Sequence, residues 1–232
     1  WLRCGRPLPC PRHDPTCASP LPEGGPALAE PVDESPSDEE IRRILENPHG
    51  RRWTIQGFGM LRTYLTEDER VRLHVWSRAD EVPGVSVIHD HPWDFTSRVV
   101  SGVARNVRYM AGGHEPHWTR LIVCGPGGCA LGTPERVMLG AYPDDVHGPG
   151  DRYSQAAEVL HASFPSDGAV TVITRRFGAD RDVARVCWPD AAGSNGWVSA
   201  EPREATHEEV ERITALALAN WGGTPVPGGP ST

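Results

Sequence analysis

Between residues 52 and 176 the chain alternates short runs of β-branched and aromatic residues with turn formers: WTIQGFGML, VRLHVW, VSVIHDH, SRVVSGV, RNVRYM, TRLIVC and AVTVIT. Runs of this length and spacing predict an antiparallel sandwich or barrel rather than helices. Helical periodicity is confined to the flanks. Ser37 and Glu40 carry the spacing of a capping box, Ile41, Ile44 and Leu45 then share one face, and Asn47-Pro48 ends the helix. Near the other end Thr206 and Glu209 repeat the signature. Val210, Ile213 and Ala217 mark one face of a helix over about 207–221, and Gly222 stops it. Residues 1–36 hold nine prolines and no apolar period, and read as a disordered leader; the Gly/Pro-rich end reads as a disordered tail. The expected organisation is thus a leader over 1–36, a β domain with its first helix over 37–185, and an extension with the second helix over 186–232.

Composition narrows the function classes. Thirty-one acidic against twenty-three basic residues leave a formal net charge of −8, which argues against nucleic acid or an anionic membrane as the partner. Every basic residue is arginine, so lysine-based Schiff-base, nucleophile and P-loop chemistry are excluded. No apolar run is long enough for a membrane span, and no signal-peptide core is visible. The first methionine is Met60, which reads as a processed or shortened start. Six scattered cysteines are too few for a disulfide scaffold, so a reducing, cytoplasmic compartment is expected. Cys4, Cys10, His13 and Cys17 match none of the short zinc knuckles.

The chemistry is concentrated in GVSVIHDHPWDFTSRVVSG, from Gly84 to Gly102. His89 and His91, two apart on a strand, project from one face, into the barrel if Val85 and Val87 are inward too. Two neutral imidazoles there make a metal half-site awaiting a third ligand, or else two histidines hydrogen-bonded in a polar core.

This segment resembles the first motif of the cupin superfamily, and PGDRYSQAAEVLHAS, Pro149 to Ser163, resembles the second, with His161 as the third ligand. The resemblance implies an all-β cupin barrel, a double-stranded β-helix or jelly roll, over about 52–178, flanked by short helices. Phe95 stands where cupins commonly place a glutamate ligand, which favours a metal site of His89, His91 and His161 alone. Asp94, on the opposite parity, reaches the metal only if the strand bulges. Glu158 is either an exposed turn carboxylate or an acceptor orienting a histidine.

Among three-histidine cupins the chain is most similar to the thiol dioxygenases, through LRTYL around Arg62, SVIHDH ending at His91, and LHASFPSDGAVTVI from Leu160. The resemblance implies Fe(II), molecular oxygen, and Arg62 gripping a substrate carboxylate through its planar fork. The family's serine, histidine and tyrosine around the oxygen site fall on Thr171, Ile173 and Arg175; Ile173 cannot relay a proton. Thr96 replaces the cysteine that some members crosslink.

About seventy residues separate His91 from His161, so an insertion over about 111–146 is expected to decorate the barrel mouth. It carries His114 and His117, read as solvated loop histidines, and Cys124 and Cys129, read as reduced thiols facing each other across a Gly-Pro-Gly-Gly hairpin tip. Tyr109, Trp93 and Tyr153 are candidate pocket aromatics.

The expected function is a mononuclear iron cupin activating oxygen against a small anionic substrate, with Arg62 or Arg175 orienting the acid group, Thr171 and Phe95 lining the site, and Glu158 or Tyr153 moving protons. Zinc, nickel or manganese with a non-oxidative isomerase, lyase or hydrolase reaction is the first alternative; a non-catalytic ligand-binding barrel is the second. Exposed strand edges are compatible with a homodimer.

Overall fold

The computed structural model describes residues 35–125, 128–176 and 183–222. The leader up to residue 34, with its three cysteines and His13, and the tail beyond Gly222 lie outside these residues. In chain order, helix α1 (Asp38–Glu46) precedes strands β1 (Thr54–Gln56), β2 (Phe58–Tyr64), β3 (Val71–Glu81), β4 (Ile88–His89) and β5 (Asp94–Ser101). Then come β6 (Ala104–Gly125), β7 (Gly128–Leu131), β8 (Glu135–Ala141), β9 (Asp145–His147), β10 (Arg152–Gln155) and β11 (His161–Pro165). Strands β12 (Val170–Arg176), β13 (Val183–Pro189) and β14 (Arg203–Glu204) lead to helix α2 (His207–Ala219). No helix among the described residues is long and apolar enough to cross a membrane.

The strands form two antiparallel sheets in a jelly roll. The first sheet has the order β10-β5-β12-β3-β2-β1-β14; the second has the order β11-β4-β13-β6-β7, with β8 and β9 added along β6. Non-sequential neighbours such as β5 and β12 mark the crossovers of the roll. At the start of β2 the register with β3 shifts between Phe58 and Met60. Gly59 sits there at φ 69°, where a Cβ would meet the Ser77 carbonyl oxygen at 2.1 Å, so the bulge requires glycine.

The main apolar core lies outside the barrel, between the first sheet and the helices. Ile41 and Leu45 of α1 and Val210, Ile213 and Ala217 of α2 pack with Leu61, Val71, Leu73, Val75, Val170 and Val172. Both capping boxes form: the Glu40 N–H donates to Ser37 Oγ at 3.3 Å and the Glu209 N–H to Thr206 Oγ1 at 3.2 Å, each carboxylate answering the cap's own N–H at 2.8 Å. Arg98, buried in β5, pairs with Asp38 and ties α1 to the sheet.

Three expectations need correction. The boundary after residue 185 falls inside β13, which pairs with both β4 and β6 and is integral to the second sheet. The insertion over about 111–146 is not loop decoration. β6 runs through it as one long strand and pairs with β8 across a register shift between Ala111 and Glu115. His117 is therefore buried at 7% exposure, its Nδ1 against the Glu115 carbonyl at 3.1 Å, while His114 is exposed. Cys124 and Cys129 stand directly opposite in the β6–β7 register and are joined in a disulfide, not held as separate thiols.

Candidate metal centre

His89 ends β4, His91 follows it, and His161 opens β11. The register pairs His161 with His89 across the two strands. The three rings gather with centroids 4.7 to 5.2 Å apart, and their candidate ligand atoms lie within 4.8 Å of one another. Of the first pair only His89 lies in a regular strand, so the approach of His91 comes from the turn after β4 rather than from strict strand parity. The Nδ1 of His89 lies 2.9 Å from the Val87 carbonyl and that of His161 lies 3.1 Å from the Val159 carbonyl. A carbonyl only accepts, so both Nδ1 atoms carry the proton and both Nε2 atoms keep a lone pair. Burial pushes all three imidazoles down, His161 to about 3 and His91 well below the ordinary value, helped there by its two histidine neighbours. The rings are neutral at physiological pH. A set of three neutral, pre-oriented imidazoles fits a borderline divalent metal ion such as iron or zinc.

An aromatic ring backs each imidazole. Phe58 stacks on His89 at 5.3 Å, Trp93 on His91 at 4.3 Å, and Phe95 lies 5.5 Å from His91 and 5.7 Å from His161. Phe95 is buried, with its ring turned toward His91 and His161.

The residue between the two histidines anchors them. Asp90, 3% exposed, accepts from the backbone N–H of Arg185 at 2.5 Å and from its Nε at 2.6 Å. The same guanidinium donates to the Glu158 carbonyl at 2.5 Å, and the Glu158 N–H donates to the His91 carbonyl at 3.0 Å. Arg185 thus staples the first histidine segment to the turn before His161. Glu158 contributes its backbone to this arrangement, at φ 64°. Orientation of the imidazoles falls to the Val87 and Val159 carbonyls. Asp94 accepts from the Ala157 N–H at 2.6 Å and is outside the convergent group, which among the described residues is the three histidines alone.

Facing them, the inner side of the first sheet is polar. Residues opposite one another in register share a face, so β2, β3, β12 and β5 align Arg62, His74, Thr171 and Val99 in one row and Tyr64, Arg72, Ile173 and Ser97 in the next. Arg175 falls opposite Phe95. Arg72 lies 4.8 Å and Arg175 5.0 Å from the Trp93 ring centroid, and Arg62, Arg72 and Arg175 each lie within about 6 Å of the Tyr64 ring. Arg62 is half-buried and donates to Thr54 Oγ1 at 3.1 Å. Thr171 accepts from the Trp76 indole N–H at 3.3 Å. Tyr153 lies beyond Phe95, at 6.3 Å, and stacks on His147 at 4.4 Å. Burial pushes its phenol up, against the pull of the nearby Ser97 and Ser163 hydroxyls. Tyr109, half-buried on β6, packs against the smaller core of Leu139 and Leu160.

Sequence reasoning missed Arg72 and His74, 7% and 6% exposed, as well as Asp90 and Arg185. The signal for the first two was present: VRLHVW alternates strictly, so its polar residues share one face. Nothing local announces the pairing of Asp90 with a residue 95 positions away.

A scan against protein-family models and a search of curated proteins each return no match. Among solved structures, a variant of oxalate decarboxylase from Bacillus subtilis is similar over 80% of this chain and 52% of that one, at 12% identity and a TM-score of 0.31. The chain spans about half the length of that protein, and a likeness so distant is no guide to chemistry.

Proposed function

We propose that the chain is a metal-dependent cupin enzyme that oxidises a small anionic organic substrate with molecular oxygen, in the manner of the thiol dioxygenases. The observation that carries this reading is the meeting of three neutral histidines with an arginine-lined inner wall. His89, His91 and His161 would hold ferrous iron, which supplies the redox chemistry with oxygen when bound. Arg62, Arg72 and Arg175 draw in and orient the acid group of the substrate, acting as fixed donors in a low-dielectric wall. Phe58, Trp93 and Phe95 keep water from the imidazoles and hold their planes. The Tyr153 phenol keeps its proton at neutral pH and, set behind Phe95, serves the wall rather than the reacting atoms.

One position favours a second reading. Ile173, in register between Arg72 and Ser97, offers no proton relay where the thiol dioxygenases use a histidine. A non-oxidative reaction at zinc, nickel or manganese needs no such relay. Metal analysis with anaerobic iron loading and an oxygen electrode separates the two. Iron near one per chain, with oxygen uptake on adding members of a thiol and carboxylic acid panel, supports the first; tight zinc without oxygen consumption overturns it.

A further inference from the structure

Three guanidiniums share one small volume, and the acid that acts on them, Glu69, reaches Arg62 and Arg72 only from beyond ion-pair distance. Arg62, Arg72 and Arg175 surround Tyr64, Arg72 and Arg175 also flank Trp93, and no carboxylate among the described residues lies within ion-pair distance of any of the three. Elsewhere arginines of this chain do find acids: Arg98 with Asp38, Arg105 with Asp144, Arg108 with Asp145, Arg185 with Asp90, Arg212 with Asp80. The cluster differs from these in gathering three arginines round one tyrosine with no ion-paired carboxylate among them. Polar atoms inside it are also buried and unpartnered: the Nε of Arg72, the Nε of Arg175 and the Nε2 of His74. A buried donor without an acceptor costs about 1–3 kcal/mol, and like charges in one site repel, so folding alone gives no reason for the arrangement. Burial and the two neighbouring arginines pull Arg72 down to about 9, which leaves it charged at neutral pH.

The cluster also borders the metal centre. Trp93 separates it from His91, stacked on the histidine at 4.3 Å and reached by Arg72 at 4.8 Å. A group held by Arg72 and Arg175 thus sits one aromatic ring away from a metal ligand.

We propose that Arg62, Arg72 and Arg175, gathered round Tyr64 and Trp93, form the receptor for a doubly negative acid group of the substrate. A single carboxylate would leave two of the three charges unanswered; a dicarboxylate or a phosphate answers two and satisfies the idle donors. The proposal deepens the reading of this barrel as an enzyme for anionic substrates and rests on it for the word substrate, though not for the binding.

The test uses the full chain stripped of metal with a chelator, so that no ligand can bind through the ion. Inorganic phosphate, malonate and acetate are titrated calorimetrically at matched ionic strength and about pH 8, where the first two are dianions. Phosphate and malonate are expected to bind at least tenfold more tightly than acetate, and the better of the two names the source of the charge. Arg72→Gln and Arg175→Gln should each weaken dianion binding tenfold or more, while Arg176→Gln, the exposed neighbour on the other face, leaves it unchanged. Dianions binding no better than acetate, or as well to both variants as to the parent, overturn the proposal. Should Arg72→Gln fail to fold, Arg175→Gln and Arg62→Gln decide it. Dianion binding in a protein that holds no metal after reloading would instead overturn the metal reading and leave the receptor standing.

Discussion

Strand β3 shows two equally buried faces with opposite content. Val71, Leu73 and Val75 are fully buried and point to the helices; Arg72 and His74 are buried too, and point into the barrel. On the first face, burial removes apolar surface from water and stabilises the fold at about 25 cal/mol per Å². On the second, the same burial strips guanidiniums and an imidazole of solvent and costs stability. The helices exist for the first face, since without α1 and α2 its valines and leucines would be exposed. The barrel is free to keep a polar interior because its stabilising core lies elsewhere.

The largest effect that separates the faces comes from the apolar side. Leu73→Ala should cost about 2–5 kcal/mol of unfolding free energy by urea titration, the range for a buried leucine that leaves a cavity. Metal bound per folded molecule should stay at the parent level. A loss of metal in parallel with stability would show that the two faces are not separable.

Next is the anchor between histidine segments. Asp90→Ala removes the carboxylate that accepts from the backbone N–H and Nε of the part-exposed Arg185, at a cost of about 1.5–3 kcal/mol, the range for hydrogen bonds to a charged group. Metal affinity should fall about 10- to 100-fold, as for other groups that orient ligands through their neighbours. Isothermal titration with zinc checks this, and unchanged affinity would mean that the His91–Glu158 backbone bond suffices alone.

The inner face also predicts a pH dependence. His74 and the three site histidines have folded pKa values below 6.5, all with burial as the first cause. The unfolded chain then binds more protons than the folded one as pH drops below 6.5, so metal-free stability is complete above that value and lost progressively beneath it, toward about 3 for His161. For His74 the guanidiniums of Arg72, Arg62 and Arg175 add to the effect of burial, in that order. His74→Gln should flatten the slope of melting temperature against pH between about 6 and 4. An unchanged slope would exclude His74 from the proton count.

How far such features are legible in the sequence follows from how local their causes are. The capping boxes at Ser37 and Thr206 are complete within four residues and could be read outright. The three histidines were legible because their spacing and turns repeat a known pattern. Alternation in VRLHVW puts Arg72 and His74 on one side, but only the pairing of β3 with β2 and β12 reveals that this side is the interior. The course of the insertion was not legible because β6 continues beyond a bulge, with Gly112 at φ 86°, and only the β8 partner carries the strand across it.

The smallest effect has the opposite sign from the first. Arg72→Met keeps the length of the side chain and removes a buried charge that has two like neighbours and an idle donor. Replacing buried charge by apolar volume is often neutral or stabilising by about 1–4 kcal/mol, and the low end is expected here because two arginines remain near Tyr64. The variant should therefore melt slightly higher than the parent in the absence of ligand while gaining less from added phosphate. That pairing of outcomes is specific: a merely structural Arg72 would lower the melting temperature, and one irrelevant to ligands would leave the phosphate response intact. Stability rising as response falls is the signature of a face kept for binding at the expense of folding.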